Sequence, residues 1–233
     1  MDPAGILLQT DIFGDLTAAD VAPLVPQLGE CSLDRGQPLW IEGDPALALY
    51  VLAAGQLKSH RLSVEGAEVI LGINRAIDVV GEVGLFHPTG VRRVSVTAMT
   101  PSRCLRIPKA PLLGYLAAHP RAMERMLGRL SLIAGQAAYS FSSLAFDDIR
   151  QRVAAALLGL GAEFGEETPD RGLRIRLRLS QSALAALVAA SRENVNRALA
   201  TFVAIGAVSQ QDGRFHLHDR AALRRVADSS TQV

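Results

Sequence analysis

A chain of 233 residues, 49% hydrophobic and 20% charged, has the make-up of a globular protein long enough for two modest domains with real cores. Its two cysteines, Cys31 and Cys104, stand in no metal-ligand spacing, which argues against a disulfide scaffold or an iron–sulfur cluster. A secretion signal and a run of membrane-spanning length are both missing, so a reducing cytoplasmic setting is expected. The net charge of +1 is unevenly placed. Residues 1–120 carry 9 basic and 12 acidic side chains and residues 171–233 carry 10 basic and 4 acidic, so the C-terminal third points to a polyanion such as nucleic acid.

Residues 11–28 read as short helices, with Thr17 placed to cap AADVAPLV. From Cys31 the pattern changes to short apolar runs divided by glycine turns. Segments 49–54, 56–62, 68–73, 94–98 and 103–107 have strand length and composition, and their spacing predicts an antiparallel roll or sandwich. Within it lies GEVGLFHPTGVRRVSVTA. Gly81 and Gly84 allow close backbone approach around Val83, Glu82 can accept from a hydroxyl, and Arg92 and Arg93 suit a phosphate. On chemistry alone the same stretch also reads as a polar turn with two exposed arginines. His87 reads as a solvated turn histidine rather than a haem ligand.

A short helix over 109–118 leads into a proline-free stretch, 121–147. Here Met123, Met126, Leu130, Ile133, Ala137, Ser140 and Leu144 recur at alternating steps of three and four, the seam of a helix that pairs with another. At about 1.5 Å per residue it spans roughly 40 Å, which favours a dimerisation helix over a core helix. Arg121, Glu124, Arg125 and Arg129 lie off that seam. The expected domains are 1–120, 121–147 and 148–233.

Beyond a hinge at 146–148, a helix over 149–162 is expected to bury Val153, Leu157, Leu158 and Leu160. Leu173, Ile175, Leu177 and Leu179 then alternate with Arg174, Arg176 and Arg178, a half-buried strand with a basic face. That face reads equally well as a solvated one. Ser180 can cap SQSALAALVA and Ser191 can cap SRENVNRALATFVAIG, with Ala189-Ala190 between them: a helix-turn-helix. Arg192, Glu193 and Arg197 project from the second helix, suited to guanine and cytosine edges, with Asn196 a further contact. Leu199, Phe202, Val203 and Ile205 are expected in the core. Segments 207–209 and 214–217 form a short wing.

RGQPLWIEGDPALALYVLAAGQLKSHRL, GEVGLF and RRVSVTA together resemble the cyclic-nucleotide-binding roll of the CRP–FNR family of bacterial regulators, and SRENVNR resembles that family's recognition helix. The resemblance covers residues 13–219. It implies an α+β fold: an N-terminal β-roll, a long dimerisation helix and a C-terminal winged helix-turn-helix. By that resemblance Gly81, Glu82 and Arg92 match the ribose- and phosphate-binding positions, and Arg93 stands where Ser or Thr is usual. Ala137 and Ala138 replace the hydroxyls that bond adenine, which argues against high-affinity cyclic AMP binding. Arg192, Glu193 and Arg197 match the base-reading positions, and Ser180, Gln181 and Ser191 complete the expected DNA-contact set.

The expected function is a homodimeric regulator reading GTGA-like inverted repeats in double-stranded DNA, with a cyclic nucleotide or related effector in the roll. An RNA polymerase contact through residues 168–171 is also implied. The alternatives are an effector-independent regulator and a ligand-binding module acting through protein partners. No enzyme, no metal site and no membrane association is expected, because the five histidines are scattered and no nucleophile triad or phosphate loop occurs.

Overall fold

The computed structural model describes residues 2–169 and 172–229. The chain forms two compact units, Met1–Ala67 with Leu71–Ala137 and Ala138–Val233 with the short segment Glu68–Ile70, so the main boundary falls inside one long helix, after Ala137.

The first unit opens with α1 (Pro3–Leu7) and α2 (Ala18–Val21). Thr17 caps α2 in a reciprocal box with Asp20: its hydroxyl accepts from the Asp20 amide, and the Asp20 carboxylate accepts from Thr17. Two antiparallel sheets follow, built from β1 (Gly29–Leu33), β2 (Pro38–Trp40), β3 (Ala48–Ala54), β4 (Gln56–Leu62), β5 (Glu68–Arg75), β6 (Val79–Val80), β7 (Ser95–Ala98) and β8 (Ser102–Pro108). Their orders are β1-β8-β3-β6 and β2-β7-β4-β5, which is the roll expected from the strand spacing. Between the sheets Leu33, Trp40, Leu52, Leu57, Val80, Val96, Ala98 and Cys104 form one core. Gly55 makes the β3–β4 turn at φ 96°, and a Cβ there would lie 2.6 Å from the Pro101 carbonyl oxygen, so only glycine fits. A helix absent from the sequence reading, α3 (Glu82–Phe86), interrupts the strands after β6.

α4 (Lys109–Ala118) leads to α5 (Pro120–Phe146), the long helix, whose only proline is its first residue. Its inner face differs in use from the expected seam. Ala122 and Met126 are fully buried in a core with Leu7, Phe13, Leu49 and Leu116, and Met123 and Leu130 pack against the same core. The large side chains of that stripe therefore cover this chain's own roll, Ile133 is half-buried, and Ala137 and Leu144 are exposed. A second stripe, one position along, repeats at the same steps: Leu127, Ser131, Ala134, Ala138, Phe141 and Ala145, all exposed. Two overlapping three-four repeats on one helix give the sequence no means of telling which side meets the roll.

The second unit contains α6 (Ile149–Phe164), β9 (Gly165–Glu167), β10 (Leu173–Ile175), α7 (Gln181–Leu187), α8 (Arg192–Ala204), β11 (Val208–Gln211), β12 (Arg214–Leu217) and α9 (Arg220–Ala227). Asp148 caps α6 in a box with Gln151. Val153, Leu157 and Leu160 are buried as expected, while Leu158 is half-buried. Leu173, Ile175, Leu177 and Leu179 are all buried, although only the first part of that alternation pairs as a strand. The wing is a β11–β12 hairpin turning on Asp212 and Gly213, both at positive φ, the geometry of a two-residue primed turn. Among the described residues no helix is long and apolar enough to cross a membrane.

Candidate nucleic-acid interface and effector cassette

Ser180 and Ser191 each begin a helix of the helix-turn-helix. The Ser180 hydroxyl accepts from the Ala183 amide at 3.1 Å and the Ser191 hydroxyl from the Asn194 amide at 3.3 Å. Between the helices Ala189 takes a left-handed backbone (φ 48°), which lets the Ala190 amide reach the Ala185 carbonyl at 3.0 Å. One side of α8 buries Val195, Ala198, Leu199 and Phe202. Val203 and Ile205, expected beside them, are instead 53% and 59% exposed, Ile205 lying just past the last residue of α8. The outward side carries Arg192, Glu193 and Arg197, all exposed, with the Arg197 guanidinium hydrogen-bonded to the Asn194 side-chain oxygen. Asn196 is half-buried and its side-chain oxygen is enclosed, which sets it back from the outward row. Gln181 is half-buried at the first position of α7.

The basic face before α7 is smaller than its sequence suggests. Arg174 is ion-paired with Glu166 at 3.0 Å, and that hydrogen-bonded guanidinium holds the Glu166 carboxyl below its ordinary pKa. Arg176 and Arg178 remain exposed.

In the roll, β6 is followed by Gly81, whose φ of 100° turns the chain into α3. A Cβ on Gly81 would lie 2.5 Å from Nη1 of Arg92 and 3.2 Å from the Trp40 ring. The Arg92 side chain fills that space. Its Nη1 donates to the Gly81 carbonyl at 3.0 Å and its Nη2 to the Ala48 carbonyl at 2.7 Å, while its guanidinium lies 4.0 Å from the Trp40 ring centre. Arg92 is 3% exposed, and burial pulls its pKa below the ordinary arginine value. The Nε group is buried with no partner among the described residues, a donor suited to an anion. Arg93, by contrast, is exposed, as are Val83, Ala137 and Ala138. His87 bonds its own turn through Thr89 at 2.8 Å. Among the described residues no group of His, Cys, Asp and Glu could hold a metal ion.

Arg129, left out of the sequence reading of this site, completes the cassette. From α5 its Nε donates to Glu82 at 3.0 Å and its Nη1 to Asp11 at 2.6 Å, and Nη2 reaches the Val79 carbonyl. Burial pushes the Glu82 carboxyl above its ordinary pKa, and Arg129 works against that rise. Burial likewise opposes the Arg129 charge, but Glu82 and Asp11 outweigh it and hold that pKa above the ordinary value. Forty-seven residues separate Arg129 from Glu82, so no local motif links them.

Comparison with known proteins bears on both sites. Residues 30–119 match the family model for the cyclic nucleotide-binding domain, and residues 151–226 match that for the Crp-like helix-turn-helix domain. A CRP-like cAMP-activated global transcriptional regulator of Mycobacterium tuberculosis is 33% identical over 223 residues, covering 95% of this chain and 98% of that protein. A global nitrogen regulator of Synechocystis is 31% identical over 203 residues, covering 86% and 88%. Among solved structures, FixK2 from Bradyrhizobium japonicum superposes with a TM-score of 0.77 at 17% identity, over 87% of this chain and 98% of that one. The c-di-GMP responsive regulator CLP of Xanthomonas campestris does so at 0.76 and 24% identity, over 87% and 100%. With the roll, the long helix and the capped recognition helix all in place, the chain belongs to the CRP–FNR family, a family of DNA-binding transcription regulators and not of enzymes.

Proposed function

We propose that this protein is a homodimeric regulator that reads GTGA-like inverted repeats through α8. The observation that carries this reading is the outward row of Arg192, Glu193 and Arg197 on a helix whose other side is locked in a core. Arginine can take guanine O6 and N7 as a pair, and glutamate can accept from cytosine N4. Ser180, Gln181 and Ser191 sit at helix starts, where amides and hydroxyls suit phosphate oxygens. Gel retardation tests it: the purified protein shifts a GTGA/TCAC palindrome and leaves a scrambled duplex of equal length unshifted. Equal retardation of both would remove the sequence-reading role. A DNA partner makes the cytoplasm its place of work.

The same assay separates two readings of the cassette. If Gly81, Glu82 and Arg92 take a cyclic nucleotide or another phosphate-bearing effector, adding it changes the shifted fraction. Effector-independent binding is favoured by a specific observation: Arg92 already holds two carbonyls and Glu82 already holds Arg129. Ala137 and Ala138 offer no hydroxyl, so discrimination for adenine is expected to be weak in either case.

Dimerisation is assigned to the exposed stripe of α5, with Met126 occupied inside the roll. Burying Leu127 and Phe141 against a second copy is worth roughly 1.5–3 kcal/mol each. Ala134→Glu sets two carboxylates against each other at that seam and yields monomers by light scattering. A variant that stays dimeric at micromolar concentration places the seam elsewhere.

An RNA polymerase contact is assigned to the loop after β9. Thr168 and Pro169 belong to it, whereas Asp170 and Arg171 lie outside the described residues. Alanines over 168–171 leave DNA affinity within about twofold, roughly 0.5 kcal/mol or less, because none of the four belongs to the expected DNA-contact set. They lower in-vitro transcription from a dependent promoter, and unchanged transcription would dismiss the contact.

A further inference from the structure

β1 is the edge strand of its sheet, and its register on β8 sets Cys31 directly opposite Cys104. Opposed residues of an antiparallel pair share a face, with Cβ atoms about 4.5–5.5 Å apart. A disulfide needs Cβ atoms about 3.5–4.5 Å apart and Cα atoms about 4.4–6.8 Å apart, so a small adjustment joins them without a change of register. Both thiols are free, and they belong to directly paired positions of the ladder. Their surroundings differ. Cys104 is fully buried in the core with Leu52, Leu57 and Val96, while Cys31 is half-buried on the strand that solvent reaches.

That asymmetry divides the chemistry. The facing Cys104 thiol, opposed by burial and helped by Arg106, draws the Cys31 thiol down to about 7. The neighbouring sulfur and burial push Cys104 far above its ordinary value. At neutral pH the accessible sulfur is the one with thiolate character, and the enclosed one keeps its proton.

We propose that Cys31 and Cys104 form a peroxide-reactive dithiol that closes into an intramolecular disulfide across the β1–β8 ladder. The Cys31 thiolate attacks one oxygen of a hydroperoxide, the O–O bond breaks, and the departing alkoxide takes a proton and leaves as an alcohol. Cys31 is then a sulfenic acid. The Cys104 sulfur attacks it, the S–O bond breaks, and the Cys104 proton leaves with the hydroxide as water. Two thiols and one hydroperoxide thus give one disulfide, one alcohol and one water, a two-electron oxidation that a dithiol reductant reverses. β8 lies between β1 and β3, the strand whose Ala48 carbonyl holds Arg92, so the bond ties the sheet's edge to the direct neighbour of a strand that carries the cassette.

The test uses the full chain with excess hydrogen peroxide near neutral pH, followed by alkylation, intact mass and non-reducing peptide mapping. The expected result is joint loss of both thiols, a mass lower by two hydrogens, a linked Cys31–Cys104 peptide, and recovery of both thiols with dithiothreitol. Added oxygen without linkage, a disulfide between two chains, or no reaction at a dose that oxidises free glutathione overturns the proposal. Cys31→Ser, at the half-exposed edge, protects Cys104, and oxidation of Cys104 in that variant at the wild-type rate also overturns it. Wild-type protein decides the matter even where Cys104→Ser fails to fold.

Discussion

Replacing Arg129 with methionine is expected to cost the roll about 3–5 kcal/mol at neutral pH, the usual penalty for leaving a buried charge without its partner. The Glu82 side chain is 6% exposed and Arg129 is its ion-pair partner, so water cannot take over that role. Asp11, half-exposed at the other end of the pair, is less affected. The penalty should depend on pH in a defined direction. Burial raises the folded pKa of Glu82 above its unfolded value even with Arg129 present, and removing the cation raises it further. A raised carboxyl pKa means that the folded state holds the proton more tightly. Its contribution is therefore fully present below the unfolded pKa and is lost as pH rises through the folded one. Arg129→Met should accordingly be most destabilised on the alkaline side and recover toward wild type as acid neutralises Glu82. Urea unfolding across a pH series measures this, and a penalty that is flat with pH would show that Glu82 is not left charged.

Arg197→Ala is expected to weaken binding to a GTGA-containing palindrome by about 1–3 kcal/mol per half-site. Across two half-sites that is at least about thirtyfold in affinity, with choice relaxed at one guanine. Its guanidinium rests on Asn194 without DNA, so the variant loses little stability and the effect is one of recognition. Glu193→Ala makes the sharper contrast. A carboxylate near phosphates is repelled unless a cytosine amino group meets it, so removing it abolishes discrimination at one base pair while general affinity stays level or rises. Loss of a phosphate contact, the role proposed for Gln181, would instead weaken all sequences alike. Selection from random DNA that returns no GTGA-like inverted repeat would defeat the assignment of these three residues.

Much of the fold is legible in local pattern because local physics decides it. Thr17, Ser180 and Ser191 cap helices where their hydroxyls precede apolar periodic runs. Leu173 and Ile175 turn inward since a strand's faces alternate by geometry, and Leu177 and Leu179 keep that period beyond the end of β10. The outward row of α8 follows from the helical repeat and from the apolar residues that must go inward. α3 escaped notice because five residues holding a glycine show no helical period, and because its start depends on Gly81 turning at positive φ.

The candidate sites divide in the same way. The recognition helix is a continuous stretch, so its residue types and spacing already place Arg192, Glu193 and Arg197 outward, though not the exposed Val203 and Ile205 or the set-back Asn196. The cassette is assembled from β2, β3, α3 and α5. Glycine, glutamate and arginine can be picked out by type, but that Arg92 lies against Trp40 and that Arg129 holds Glu82 are consequences of strand order and helix packing. The seam of α5 shows the limit most directly. Two stripes repeat at the same steps, and only the packing of Met126 beside Leu49 and Leu116 decides that the larger stripe closes the roll, leaving the smaller one at the surface. Periodicity specifies how side chains are arranged around a helix, whereas the neighbour each face meets is set by contacts distant in the chain.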